Sequence, residues 1–426
     1  MTSKSLLRTV VADQRKELDL TDDSVPRTIF QEASSYRGAS AYVVKGVRRC
    51  GKSTLMRQVM KAKYGDGYLY FNFDDERVTG FRSEDFQPLM ETLIESYGEK
   101  KTIFLDEIQN VEAWELFINR ILRQGYRVYI TGSNANLLSK ELGTHLTGRH
   151  VDIELYPFSF TEYLRANKTD APNNGVYTTE QKAHLTKTFN EYLTRGGMPE
   201  VVVHSNEAIL TSILSDIIQK DISERYLIRK PAELKSVMRF LIANASNPIT
   251  YRSITDNFGV TSPNTVQKYV EYAEDTYLIF TVSRYEKKIK KLDKNPRKVY
   301  CVDNGIISKN APSVAERRGA LLENIVAIQL KRLGREFYYF KGKTGAEADF
   351  VVPAEGLVIQ VCHELNYGNE GRELRGLDEA MEETRASEGL ILTFDQEREL
   401  THSDKNVIVK PAWQWLLENE ASTTHS

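Results

Sequence analysis

At 426 residues the chain is longer than one hydrophobic core usually serves, so two to four domains are expected. Its 57 basic residues balance 59 acidic ones, which excludes a protein that binds nucleic acid through overall charge and leaves room only for a local basic patch. Hydrophobic content of 41% is that of a folded chain, and no apolar run approaches the roughly 18 residues of a membrane span.

The chain opens with MTSKSLLRTVVADQRKELDL, an amphipathic, charged segment without the apolar region of a secretory signal. The first chemical signal comes in AYVVKGVRRCGKSTLMRQVM. A short β-branched run, Tyr42 to Lys45, leads into Gly46 and then Gly51, Lys52 and Ser53 at the start of a helical pattern. This is G-x-x-x-x-G-K-S between a strand and a helix, the setting in which that motif cradles phosphate. Glycines let backbone N–H groups curl around phosphate oxygens, and the helix N-terminus adds its positive dipole end. Gly46, Val47, Arg48, Arg49, Cys50, Gly51, Lys52, Ser53 and Thr54 are therefore the expected nucleotide-binding residues. Lys52 would reach the β- and γ-phosphates, and the Ser53 hydroxyl would ligate Mg²⁺. Cys50 reads as a small space-filler inside the loop.

KTIFLDEIQNV has the apolar run of a buried parallel strand ending in two carboxylates. Asp106 is expected to hold Mg²⁺ and Glu107 to polarise the attacking water. A third strand, in YRVYITGSNANLL, ends in Ser133 and Asn134, polar groups suited to sensing a γ-phosphate. LTGRHVDIELYPFSF then offers Arg149, either as an arginine finger, in cis or across a subunit boundary, or as a loop arginine paired with a surface carboxylate.

The motifs G46VRRCGKST, the strand to Asp106 and Glu107, ITGS followed by LTGR, PFSFTEYL and RGGMPEVV together resemble the bacterial and archaeal AAA+ ATPases that carry a C-terminal domain of unknown function. The resemblance runs over nearly the whole chain. It implies an α/β fold: a P-loop AAA+ parallel-sheet core over residues 1–156, a helical lid over 157–230, a winged helix over 231–312 and a nuclease-like α/β domain over 313–418. ATP and Mg²⁺ are the implied ligands.

From Pro157 to about Arg229 the pattern is helical, with apolar residues three and four apart in ILTSILSDIIQKDISERYLI. Arg195 and Arg225 could approach phosphates from this lid or form structural salt bridges. Next, NPITYRSITDNFGVTSPNTVQKYVEYAEDTYLIFTVSRY has helix-turn-helix spacing, with helices over Ser253–Phe258 and Pro263–Glu274. The second would bury Val266, Tyr269, Val270 and Ala273, and turn Ser262, Asn264, Thr265, Gln267 and Lys268 outward. Asn, Gln and Lys on such a helix suit base edges or phosphates. RYEKKIKKLDKNPRK follows with eight basic and two acidic residues, a wing able to lie on a DNA or RNA backbone. A protein-binding module or a solvated face has the same appearance.

Near the C-terminus, the helix ERRGALLENIVAIQLKRLG and the strands FYYFKGKTGAEADFVV and GLVIQVCHEL resemble the core of PD-(D/E)XK nucleases. The resemblance puts Glu323, Asp349 and Gln360 on the metal side and Cys362 where such a site has its lysine. Gln360 brings no charge to a metal and Cys362 no cation to a scissile phosphate. Lys341 or Lys343 would have to substitute for the site to be active; otherwise the fold is retained for packing or binding, or the hairpin similarity is chance. The scattered cysteines Cys50, Cys301 and Cys362 form neither a disulfide framework nor a zinc cluster, so a reduced, cytoplasmic setting is expected. The expectation is thus an ATPase that switches conformation on nucleic acid, or a regulatory or defence ATPase whose C-terminal modules capture a protein partner, in either case a possible homo-oligomer; an ATP-coupled nuclease is the third reading.

Overall fold

A computed structural model describes residues 2–18, 24–35, 40–132, 149–169, 175–287, 295–310, 317–402 and 405–423. They divide into two compact units, Met1–Tyr156 with Asp275–Tyr277, and Pro157–Glu274 with Leu278–Ser426. The segments expected as lid, winged helix and C-terminal domain thus gather into one unit.

The first unit is built on five parallel strands, β1 (Ala41–Lys45), β2 (Leu69–Asn72), β3 (Thr102–Asp106), β4 (Arg127–Gly132) and β5 (His150–Glu154), in the order β2-β3-β4-β1-β5. The sequences AYVVK and TIFLD are buried along their whole length, as strands covered on both faces require. The helix Lys4–Leu18 packs against the helix Phe86–Tyr97 on one side of the sheet. That side is rich in aromatic rings, with Phe86 stacked on Phe117 at 4.1 Å between centroids. Because β4 lies between β1 and β3, the ends of three strands meet at one edge, where an open α/β sheet forms its crevice.

In the second unit, helices Phe160–Ala166, Thr179–Arg195, Pro199–His204, Ala208–Asp216 and Pro231–Ala243 precede a small antiparallel sheet. That sheet has strands β6 (Pro248–Ile249), β7 (Ile279–Val282) and β8 (Arg297–Cys301) in the order β6-β8-β7. Between β6 and β7 lie the helices Tyr251–Phe258 and Pro263–Asp275. The first starts two residues before the expected Ser253, because the Thr250 hydroxyl caps it by accepting from the Ser253 N–H at 3.2 Å. Gly259, at φ +63°, ends it. On the second, Val266, Tyr269, Val270 and Ala273 are buried, while Asn264, Gln267 and Lys268 are exposed. Lys288, Lys290 and Lys291 of the basic segment lie outside the described residues.

The RGGMP turn is a joint within this unit. Buried Asp303 accepts from the Gly197 N–H at 2.6 Å and from the Gly305 N–H at 2.9 Å. A side chain at Gly197 would bring its Cβ to 2.2 Å from the Phe158 carbonyl. Arg195 pairs with Glu207 at 3.2 Å, the salt bridge its sequence context allowed.

The unit ends in a mixed six-stranded sheet, β13-β14-β12-β11-β10-β9, from β9 (Tyr338–Lys341), β10 (Glu347–Val352), β11 (Leu357–Val361), β12 (Glu388–Thr393), β13 (Arg398–His402) and β14 (Lys405–Pro411). The helix Glu370–Thr384 covers one face through Leu374, Leu377, Ala380 and Met381. The helix Arg318–Arg332 is buried along most of its length. No described helix is long and apolar enough to cross a membrane.

Candidate nucleotide site and a second acidic site

The loop between β1 and the helix Lys52–Val59 has the shape that its glycines permit. Gly46 has no room for a side chain, since a Cβ there would lie 2.1 Å from the Leu155 carbonyl oxygen. Gly51 sits at φ +98°, in the region glycine alone enters freely. Arg49, at φ +63°, is a strained non-glycine residue in the same turn. Buried Arg27 braces the loop from outside the motif: its guanidinium donates to the Cys50 carbonyl at 2.7 Å and to the Tyr156 carbonyl at 2.6 Å. Cys50 is fully buried and its burial raises the thiol pKa, which suits a space-filler and not a reactive group.

Lys52 is only 5% exposed, and its ammonium donates to the Gly46 carbonyl at 3.1 Å and the Val47 carbonyl at 3.2 Å. The lysine is therefore folded over its own loop, bonded to neutral acceptors. Ser53 lies in the first turn of the helix, and its hydroxyl is close enough to the Asp106 carboxylate at the end of β3 to favour that group's charged form. Thr131, on the intervening β4, donates to Asp106 Oδ1 and accepts from the Glu107 N–H at 2.9 Å. Glu107 leaves the strand at φ +52°, a left-handed turn that swings it out of the sheet, and its carboxylate accepts from Gln109. Burial, then the charge of Glu107, pushes the Asp106 carboxyl up to about 6, against the Thr131 and Ser53 hydroxyls and the Lys52 ammonium. Such a carboxylate is under-neutralised. A loop with no space for a Cβ, a helix N-terminus, a hydroxyl and a carboxylate bonded to each other, and a lysine on weak acceptors form a donor set that fits a nucleotide phosphate with Mg²⁺.

The expected residues divide as follows. Gly46 to Thr54, Asp106 and Glu107 converge on one edge of the sheet. Arg149 does not: its carbonyl accepts from the Ala41 N–H at 2.9 Å, at the start of β1, while the phosphate loop follows the end of β1. Four residue steps of strand, about 13 Å, separate them. An arginine finger acting in cis is thereby corrected, because the backbone enters β5 at the opposite edge. Ser133 and Asn134 lie outside the described residues. Thr131 and Arg27 were missed. Thr131 sits two residues before the expected Ser133 in the same strand, so strand periodicity pointed to it; Arg27 carries no local signal.

In the second unit, Glu323, Asp349 and Gln360 do come together, but with a partner the sequence reading did not assign. The ammonium of Lys298, on β8, lies 2.9 Å from Glu323 Oε1 and 2.9 Å from Asp349 Oδ1. The Tyr300 hydroxyl donates to Glu323 at 2.7 Å, and the Val361 N–H to Asp349 Oδ2 at 2.9 Å. Burial lowers the Lys298 pKa, but the charges of Asp349 and Glu323 more than offset it, so the ammonium stays charged. Burial and then Asp349 push Glu323 up to about 7, since two carboxylates share one cation. A β-bulge between Ala348 and Val351 aims Asp349 inward. Gln360 accepts from the Asp349 N–H at 3.2 Å and donates to buried Glu373, which also pairs with Arg372. Cys362 packs among Leu365 and Leu374, and burial pushes its thiol up to about 12. The substitutes considered for the missing lysine are elsewhere: Lys341 pairs with Glu347 at 2.5 Å on the surface, and the Lys343 N–H donates to Glu379 at 3.0 Å. Among the described residues no group of three or more His, Cys, Asp or Glu side chains is arranged to hold a metal ion.

Comparisons with known proteins put an AAA domain over the segment that holds the first site and assign nothing to the second. Residues 39–164 match an AAA domain, and residues 186–313 and 318–415 match two domains of unknown function. The uncharacterized protein MJ1544 of Methanocaldococcus jannaschii is 32% identical over 394 residues, covering 88% of each chain. A Haemophilus influenzae protein is 35% identical over 345 residues, covering 76% of this chain and 82% of its own. Among solved structures, the Aeropyrum pernix ORC2 protein in its ADP form aligns with 74% of this chain and 98% of its own, at 13% identity and a TM-score of 0.34.

Proposed function

The chain belongs to the family of the uncharacterized protein MJ1544 and carries an AAA domain over residues 39–164, and from that premise we propose that it hydrolyses ATP with Mg²⁺ and uses the reaction to switch conformation on nucleic acid. The observation that carries the first half is the junction of Ser53, Asp106, Thr131 and Glu107 beside a glycine-walled loop.

Phosphoryl transfer asks the protein mainly for positioning and charge stabilisation. Mg²⁺, when bound, would supply positive charge that offsets that of the phosphates. Ser53 and Asp106 are the side chains that would hold it. Lys52 exchanges its two loop carbonyls for phosphate oxygens, a gain because a charge-assisted bond to an anion outweighs one to a neutral carbonyl. Glu107 orients the attacking water and takes up its proton. Thr131 orients the Asp106 carboxylate and holds the backbone N–H of Glu107, which makes it a positioning residue. Arg149, too far to act in cis, retains a role only if a second copy presents it.

For the second half, the support is the helix Pro263–Asp275, which exposes Asn264, Gln267 and Lys268, together with the basic run RYEKKIKKLDKNPRK that follows it in the sequence. A protein partner is the second reading. Steady-state ATP hydrolysis by wild type and Glu107→Gln, each with and without duplex and single-stranded DNA, separates these. Hydrolysis that DNA stimulates, and that the variant loses while still binding ATP, is the expected result. A Glu107→Gln chain as active as wild type removes Glu107 from its role; wild-type hydrolysis indifferent to DNA moves the proposal to the protein partner.

A further inference from the structure

We infer that Lys298 is the resident cation of the C-terminal acidic site, and that this site is closed to divalent metals and serves as an ionic lock between the three-stranded and six-stranded sheets of the second unit. The inference is independent of the nucleotide reading. A nuclease-like site of Glu323, Asp349 and Gln360 would need Mg²⁺ between its carboxylates. Here one ammonium stands between them at 2.9 Å from each, and a cation cannot enter without expelling it.

Three of the four carboxylate oxygens are engaged: Glu323 Oε1 takes both the Lys298 ammonium and the Tyr300 hydroxyl, Asp349 Oδ1 takes Lys298, and Asp349 Oδ2 takes the Val361 N–H. Gln360 faces the Asp349 backbone on one side and Glu373 on the other. Lys298 itself cannot replace the lysine of a nuclease, since such a lysine must meet water and phosphate beside a metal, whereas this one is buried against the metal-side acids.

The lock joins two sheets. Lys298 lies on β8, while Glu323 belongs to the helix Arg318–Arg332 and Asp349 to β10. A backbone seam runs beside it: the Tyr285 N–H donates to the Tyr339 carbonyl at 2.7 Å, and the Tyr339 N–H to the Ser283 carbonyl at 3.1 Å. The Tyr339 hydroxyl reaches the Pro296 carbonyl at 2.6 Å. The small sheet carrying the exposed helix is thus fixed to the C-terminal sheet by backbone and by charge together.

The test is Mn²⁺ binding to the nucleotide-free full chain carrying Asp106→Asn, which takes the nucleotide site out of the measurement. Free Mn²⁺ followed by electron paramagnetic resonance should show no bound ion up to millimolar concentration. The same chain with Lys298→Met should lose roughly 10 °C in Tm and gain one Mn²⁺ that restores part of the loss; adding Asp349→Asn should remove that ion. Mn²⁺ bound without the Lys298 change and lost with Asp349→Asn would overturn the inference, as would a folded Lys298→Met chain that takes up no Mn²⁺. If Lys298→Met does not fold, the first titration still decides.

Discussion

Two buried lysines, each beside a pair of acids, distinguish the two ends of this molecule. Both are 5% exposed. Lys52 donates to two neutral carbonyls of its own loop, while Asp106 and Glu107 are bonded by neutral hydroxyl, amide and backbone groups. Lys298 donates to two carboxylates and closes them. In the first arrangement, positive and negative groups are held apart, ready for a ligand that carries both Mg²⁺ and phosphate. In the second they neutralise each other inside the fold. The inventory of residue types is almost the same; what differs is whether the charges already have each other.

Glu107→Gln should lower kcat by about 10²–10⁴-fold, the range for a lost general base, and leave ATP affinity intact in an equilibrium binding assay. Lys298→Met leaves two buried carboxylates without a counter-ion and should cost about 3–5 kcal/mol of stability, read by denaturant unfolding, with ATP affinity unchanged. Lys52→Ala should do the reverse: ATP affinity falls by about 10–10²-fold, the scale of one lost hydrogen bond between charged groups, and the unfolding midpoint shifts little, since only two carbonyl contacts are lost. Thr131→Val removes the hydroxyl that bonds both the Asp106 carboxylate and the Glu107 N–H and should slow hydrolysis roughly 10-fold, two hydrogen bonds at the low end of about 0.5–1.5 kcal/mol each. If Lys52→Ala destabilised the fold as much as Lys298→Met, the contrast between an open and a closed site would fail.

How much of this was legible in the sequence depends on how local each feature is. The phosphate loop is a contiguous motif with its strand and helix attached, so Gly46 to Thr54 were readable as a block. Asp106 and Glu107 stood out because a buried parallel strand is apolar until its end. The helix Pro263–Asp275 was placed to within one residue by its apolar spacing. Arg27 and Lys298 could not be found this way. Arg27 lies 23 residues before the carbonyl of Cys50 that it holds, and Lys298 lies 25 residues before Glu323 and 51 before Asp349. Lys298 was visible only as one of eight basic residues in a segment that reads as a wing on a phosphate backbone, a protein-binding module or a solvated face. A lysine destined for burial between acids looks the same in sequence as one destined for solvent, because the distinction is made by sheet pairing. Arg149 shows the converse error: closeness in sequence to the ATPase motifs suggested closeness in space, and the direction of β5 puts it at the other edge.

The most direct test of the open site is Mg²⁺-dependent steady-state ATP hydrolysis by wild type and Lys52→Ala, measured side by side with excess Mg²⁺ and with EDTA. The account predicts turnover by wild type that EDTA abolishes and that Lys52→Ala lacks. Hydrolysis by Lys52→Ala at the wild-type rate, or turnover that survives EDTA, would contradict it.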